Sequence, residues 1–280
     1  MSCKQRLAPE LWQKLKENGI KKSFRGKRGG STKTQEEATS LQGVHPVLVC
    51  ATGIPPDSPT GGSQPMPLFP GPTDPSVVRI PTILYSNTRS LVSKMIELQG
   101  VVGVNLPGFV SITETWLSPV APDSAVHLSN YILLRRDRPT HAGGVCIFVN
   151  AEIPFSCLCA FESSEVKSIW VKARPLGLPR QVSMILVGTV YHPPSSTVED
   201  NQRLLQHTQD NVESFLCDQP EGLIFICGDF NLTSMCITEL AVKRATGLSQ
   251  IVKVNTRDSG TLDWCSTNHL RWDLPTTILS

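Results

Sequence analysis

The chain has 280 residues, of which 40% are hydrophobic and 18% charged, an ordinary globular composition with room for one to two domains. No apolar run approaches the ~18 residues of a membrane span, and the opening MSCKQRLAPELWQKLKENGIKKSFRGKRGG has no apolar signal core, so neither a membrane protein nor a secreted one is expected. The net charge of +2 hides an asymmetry, because residues 1–34 carry ten Lys/Arg against two Glu and so leave the rest of the chain acidic.

Three composition regimes follow in chain order. Residues 1–34 are a basic arm with a short helical pattern (Leu11, Leu15, Ile20) and then KKSFRGKRGG. Its cations Lys21, Lys22, Arg25, Lys27 and Arg28 suit phosphate contact or a nuclear-import signal, and equally a solvated tail. Residues 35–79 are rich in Pro, Gly, Ser and Thr and are expected to form a disordered linker, since Pro lacks a donor and Gly resists ordering. Residues 80–280 read as the folded domain, large enough for a real core. The nine cysteines are scattered, without a C-x-x-C pair. That suits free thiols in a reducing nuclear or cytoplasmic setting better than a disulfide frame or a zinc site.

Within the folded part, strand-like runs occur at 79–86, 108–113, 143–149, 168–173, 182–191, 222–229 and 261–266. Helical patterns occupy 90–99 and 198–216. Many strands and few helices predict an α/β (α+β) two-sheet sandwich.

The chemistry concentrates at strand ends. TILYSN ends in Asn87, FVSITE in Glu114, ILVGTVY in Tyr191, and GLIFICGDFN in Asp229 and Asn231. Singly, each has an ordinary explanation. Asn87 suits a helix cap, Asp229 a turn, Tyr191 a rim and Glu114 a solvated loop. Together they offer the oxygen-rich environment that Mg²⁺, or Mn²⁺ in its place, prefers. Glu114 suits the metal, and Asn87 suits either its shell or a phosphate oxygen. Asp229 suits activation of a water, Asn231 a phosphate oxygen, and Tyr191 the charge that develops at phosphorus. Arg135, Arg136 and Arg138, with Asp137 among them, form a further basic cluster before the Gly143-Gly144 turn, able to meet DNA phosphates or to sit in a solvated loop.

The ordered strings N-x-R-S-L, I-T-E-T-W-L, G-G-V-x-I-F-V, V-Y-H-P-P, G-D-F-N and L-D-W-x-x-T-N resemble the endonuclease/exonuclease/phosphatase superfamily. More narrowly, they resemble the apurinic-type endonuclease domain of non-LTR retrotransposons. The resemblance spans about residues 80–270 and implies a DNase I-like sandwich and Mg²⁺-dependent phosphodiester cleavage of DNA. It further implies active-site positions at Asn87, Glu114, Tyr191, Asp229, Asn231 and Asp263. The expected partner is DNA, with RNA an option for the arm, no membrane, and a monomeric state.

One departure is expected to matter. In the family, the Asp matching Asp263 orients a histidine from a later S-D-H motif. None of His45, His127, His141, His192, His207 or His269 lies in such a motif, and only 17 residues follow Asp263. His269 sits in the loop-like TNHLRW with no strand to aim it. The resemblance therefore implies a domain lacking its last strand and impaired in activity. The alternatives are an inert nucleic-acid-binding remnant and a phosphatase of the same fold acting on a phospholipid or inositol phosphate.

Overall fold

A computed structural model describes residues 47–49, 80–138, 143–230, 238–253, 263–268 and 276–278. The expected basic arm lies outside the described residues, as do Asn231 and His269. Among the described residues, no helix is long and apolar enough to cross a membrane.

Two six-stranded mixed sheets pack face to face. The first contains β1 (Val47–Val49), β2 (Ile83–Asn87), β3 (Phe109–Thr113), β4 (Tyr131–Arg136), β5 (Val145–Asn150) and β12 (Thr276–Ile278), in the order β12-β1-β2-β3-β5-β4. The second contains β6 (Phe155–Cys157), β7 (Lys167–Ala173), β8 (Ile185–Tyr191), β9 (Leu223–Asp229), β10 (Ser249–Gln250) and β11 (Asp263–Thr267), in the order β10-β11-β9-β8-β7-β6. Each sheet has one parallel pair, β2 with β3 and β8 with β9. The other pairings are antiparallel.

Helices cover the outer faces. Helix α1 (Leu91–Asn105) buries Leu91, Met95, Leu98 and Val102 in one apolar cluster with Leu84, Val110, Ile112, Cys146 and Phe148 of the first sheet. Helix α2 (Val198–Asp218) shares a cluster with Trp170, Leu186, Ile224, Ile226 and Trp264 of the second sheet through Leu204, Val212 and Phe215, and the short α3 (Glu239–Thr246) adds Val242. The remaining cluster, which includes Ile83, Phe109, Ile147, Ile169, Val187 and Phe225, fills the space between the sheets. The layers are thus helix, sheet, sheet, helix, as the alternation of strand and helix patterns leads one to expect.

Local chemistry explains the element ends. Thr197 and Asp200 form a reciprocal capping box at the start of α2. Thr238 caps α3, and Gly247 closes it in the left-handed region at φ 72°. Helix α1 runs past the expected end at residue 99, because Gly100 and Gly103 meet nothing nearby and Val102 still reaches the sheet. It stops at Leu106, just before Pro107, which cannot continue a helix.

Several elements differ from the sequence expectation. The segment read as a disordered linker contributes β1, where the β-favouring run Val47-Leu48-Val49 pairs with Tyr85-Leu84-Ile83. A strand also follows Asp263 after all: β12 pairs antiparallel with β1, so β1 is not left as an open edge. The YILLRR run of β4 forms an edge strand rather than a loop. Its two arginines mask a strand pattern that pairing with the apolar β5 completes.

Candidate active site

The side-chain period of two decides which residues reach the site. On β2, Ile83 and Tyr85 belong to the inter-sheet core, and Asn87 continues that row at the strand end. On β9, Leu223, Phe225 and Cys227 do the same, and Asp229 completes the row. Tyr191 ends the corresponding row of β8 after Ile185 and Val187. On β11 the row runs from Asp263 to Cys265. The polar cluster is therefore the open end of the apolar core between the sheets.

Register ties these strand ends together. Tyr191 lies beside Asp229 in the parallel β8–β9 pair, and Asp263 lies opposite Asp229 in the antiparallel β9–β11 pair. Across the sandwich, Asn87 Nδ2 donates to Asp229 Oδ2 at 2.5 Å, and Tyr85 OH donates to Asp263 Oδ1 at 3.3 Å. Both carboxylates are buried, Asp229 at 1% and Asp263 at 4% exposure. Two like charges side by side on buried strands require cationic or donor partners, and the opposite sheet supplies two of the donors.

Glu114 arrives differently. Its backbone adopts φ 52° immediately after β3, a left-handed conformation that costs a non-glycine residue of order 1 kcal/mol or more. The turn is held by Ser90 N–H donating to Glu114 O at 2.9 Å, by Leu91 N–H to Thr115 O at 2.9 Å, and by Trp116 N–H to Gly143 O at 2.9 Å. The Glu114 carboxylate accepts from Tyr191 OH at 3.3 Å and from Trp116 Nε1 at 3.2 Å. Burial and the Glu114 carboxylate push the Tyr191 phenol up to about 12, so it stays a protonated donor near neutral pH. Burial, with Asp263 and Asp229 nearby, holds the Tyr85 phenol well above its usual range.

The donor set fits a hard cation. Glu114, Asn87 and Asp229 offer oxygens, and Asn87 Oδ1 is buried with no hydrogen-bond partner, in the way a metal ligand would be. None of these residues is a thiol or imidazole, as Mg²⁺ prefers.

Five of the six expected positions, Asn87, Glu114, Tyr191, Asp229 and Asp263, thus come together. Of the described imidazoles, His192 lines one cavity with Glu114 and Tyr191, and its backbone N–H donates to Asp229 O at 3.0 Å. His192 follows Tyr191 directly, yet its Nε2 is 2.5 Å from Asn201 Oδ1 on α2, and Ser196 Oγ stands 3.5 Å from its Nδ1. His207 faces Ser168 and Asn211.

The members of the basic cluster have different surroundings. Arg135 is tied to Asp123, Asp137 and the Ala121 carbonyl. Arg136 is tied to Glu162 and to the Ser163 and Ser168 carbonyls. Both guanidiniums, on an edge strand, thus have partners within the chain. Two of the described cations facing the site are Arg138, whose guanidinium lies 5.9 Å from the Tyr191 ring centroid, and Lys167, which pairs in register with Tyr191. Both line a cavity of about 550 Å³ together with Glu114, Tyr191 and His192. Neither has a carboxylate partner among the described residues. Burial and the like charges of Arg136 and Arg138 lower the Lys167 ammonium from its usual value. Lys167 escaped the sequence reading because β7–β8 pairing alone brings it to Tyr191. Arg138 belongs to the basic cluster visible in the sequence, and a Cβ at Gly143 would meet both its side chain and the Tyr191 ring.

No family model matches the sequence, and no curated protein matches it. The chain is similar to a number of solved structures. One is the endonuclease domain of TRAS1, a telomere-specific non-LTR retrotransposon, at 13% identity and TM-score 0.48, covering 66% of this chain and 82% of that one. Another is an AP endonuclease from Archaeoglobus fulgidus, at 16% identity and TM-score 0.44, covering 66% and 86%. A third is a truncated TDP2 from Caenorhabditis elegans, at 16% identity and TM-score 0.45, covering 64% and 78%. These are likenesses of fold. The two-sheet architecture itself rests on the strand order and register given above.

Proposed function

We propose that the chain is a Mg²⁺-dependent phosphodiesterase acting on DNA, an endonuclease of the non-LTR retrotransposon type. The observation that carries this reading is the contact between Asn87 and Asp229, which brings one oxygen-rich strand end of each sheet to the same point. When bound, Mg²⁺ supplies charge neutralisation at the phosphate and is held by Glu114 and Asn87. Mn²⁺ satisfies the same oxygen set.

The chain's own residues divide the remaining work. Asp229, fixed by the Asn87 amide, accepts a proton from the attacking water. The Tyr191 phenol, kept protonated by its surroundings, donates to a phosphate oxygen as negative charge develops there. Asp263 is the positioning carboxylate, set by Tyr85. Arg138 and Lys167 neutralise phosphates of the strand as it crosses the cavity. Trp116, 43% exposed and anchored through its Nε1 to Glu114, presents a ring for a base to stack on. The basic arm adds sequence-independent, salt-sensitive affinity for DNA or RNA.

A second reading has its own observation: the His192 ring, next to Tyr191 in the chain, is engaged by Asn201 and Ser196. On that reading the cluster binds nucleic acid with little or no turnover, the missing acid/base group lowering the rate on the order of 10²–10⁴-fold. Nicking of supercoiled plasmid in Mg²⁺ separates the two. The endonuclease reading expects nicked circles that vanish with EDTA and in Glu114→Ala. A folded, DNA-binding protein that leaves the plasmid closed would overturn it in favour of the inert one.

A further inference from the structure

A second group of ligating side chains lies away from the cluster of strand ends. Cys157, at the end of β6, and Cys159, which opens the 3-10 turn Cys159–Phe161, place their sulfurs 3.9 Å apart. Glu162 Oε1 stands 3.7 Å from the Cys157 sulfur. All three ligand atoms fall within 4.8 Å of one another. A tetrahedral ion with bonds of about 2.3 Å to sulfur and about 2.0 Å to oxygen would separate two sulfurs by about 3.8 Å, and a sulfur from an oxygen by about 3.5 Å. The Cys157–Cys159 and Cys157–Glu162 spacings lie within a few tenths of an ångström of these values, and the third pair lies within 4.8 Å.

The backbone holds these atoms in place without a metal. Leu158 N–H donates to Trp170 O at 2.9 Å, Phe161 N–H to Leu158 O at 2.8 Å, and Glu162 N–H to Cys159 O at 3.1 Å. Charge also balances. Two thiolates and one carboxylate carry three negative charges, which a divalent cation and the Arg136 guanidinium, 3.6 Å from Glu162, neutralise in full.

We propose that Cys157, Cys159 and Glu162 form a binding site for a thiophilic divalent cation of the Zn²⁺ class. Two sulfurs and one carboxylate select a softer ion than the all-oxygen set at Glu114, so the two sites sort their metals by ligand chemistry. Three protein ligands leave a fourth position for water. The site is structural. It fastens edge strand β6 of one sheet to the turn that Arg136, on edge strand β4 of the other sheet, also holds, so occupancy clamps the seam between the sheets.

The test uses the full chain, reduced with a phosphine, stripped with EDTA and titrated with Co²⁺ as a spectroscopic probe. The expected result is a thiolate-to-cobalt charge-transfer band with tetrahedral d–d absorption, displaced by Zn²⁺ and not by Mg²⁺. Cys157→Ser and Cys159→Ser abolish the band, and Glu162→Gln weakens it. Zn²⁺ raises the Tm of the wild type but not of the serine variants, whose folding is checked by circular dichroism. Absence of the band in reduced wild type overturns the proposal. So does a band that survives in both serine variants, which would belong to other thiols. A Cys157–Cys159 disulfide that, once reduced, takes up no cobalt overturns it as well.

Discussion

Tyr85 and Asp263, 178 residues apart in sequence, meet across the sandwich where the Tyr85 hydroxyl donates to Asp263 Oδ1 at 3.3 Å and lies 2.9 Å from Thr113 Oγ1. One phenol thus joins β2 and β3 of the first sheet to β11 of the second directly beneath the candidate site. Tyr85→Phe keeps the packing and removes the hydroxyl. The expected cost is about 1 kcal/mol of stability, with a larger relative loss of nicking because Asp263 loses a fixed partner. A urea titration and a plasmid assay on the same preparation separate the two effects.

Asn87 is the donor that holds Asp229 and also carries an unpartnered oxygen. Asn87→Ala should lower plasmid nicking by roughly 10²–10³-fold, the usual worth of one well-placed polar group in a site of this kind. Its circular dichroism should match that of the wild type. Activity within twofold of the wild type would remove Asn87 from the site.

Tyr191 gives an alkaline signature. Its pKa is about 12 in the folded chain against roughly 10 in an unfolded one, so the folded state holds this proton more tightly. The resulting stability is complete below about pH 10 and is lost as pH rises toward 12. Midpoints of urea unfolding should fall across that window, and Tyr191→Phe should flatten the fall while also lowering nicking.

Two histidines give the opposite slope. Burial lowers both His192 and His207 from the usual imidazole value. The unfolded chain therefore takes up protons first as pH falls. Stability from keeping these rings neutral is complete above about pH 6.5 and is lost below it as each folded-state pKa is crossed. Thermal unfolding between pH 7.5 and 5 should show a declining Tm, and His207→Gln should reduce the decline.

Gly228 precedes Asp229 on β9, and a Cβ there would run into the Val190 carbonyl of the neighbouring strand. The obstacle is backbone, so the strand itself must shift. Gly228→Ala should cost about 1–3 kcal/mol and displace Asp229, with loss of nicking exceeding that of a stability-matched substitution elsewhere. Gly188→Ala, whose new Cβ would press on the Trp170 ring, is the comparison: a similar stability cost, with the site left in register.

By itself the sequence carried the strands that are apolar throughout. Runs such as ILVGTVY and GLIFICGD are buried along their whole length and leave little choice but a central strand. It also carried the polar residue closing each run, because polarity at the end of a buried strand is visible without coordinates. Edge elements were not legible in the same way. Val47–Val49 and Thr276–Ile278 are three residues each and become strands only through pairing with each other and with β2. The strand position of the β4 arginines and their carboxylate partners Asp123, Asp137 and Glu162 emerge only from pairing with β5 and from the tertiary structure. Which face a strand-end residue occupies, and which residue of a distant strand stands opposite it, depend on register. Register is fixed by long-range burial that no local window contains. For that reason Asp229, Asp263 and Tyr191 could be picked out singly in the chain, whereas Tyr85, Lys167 and the Cys157–Cys159–Glu162 group acquired their roles only when the two sheets closed on one another.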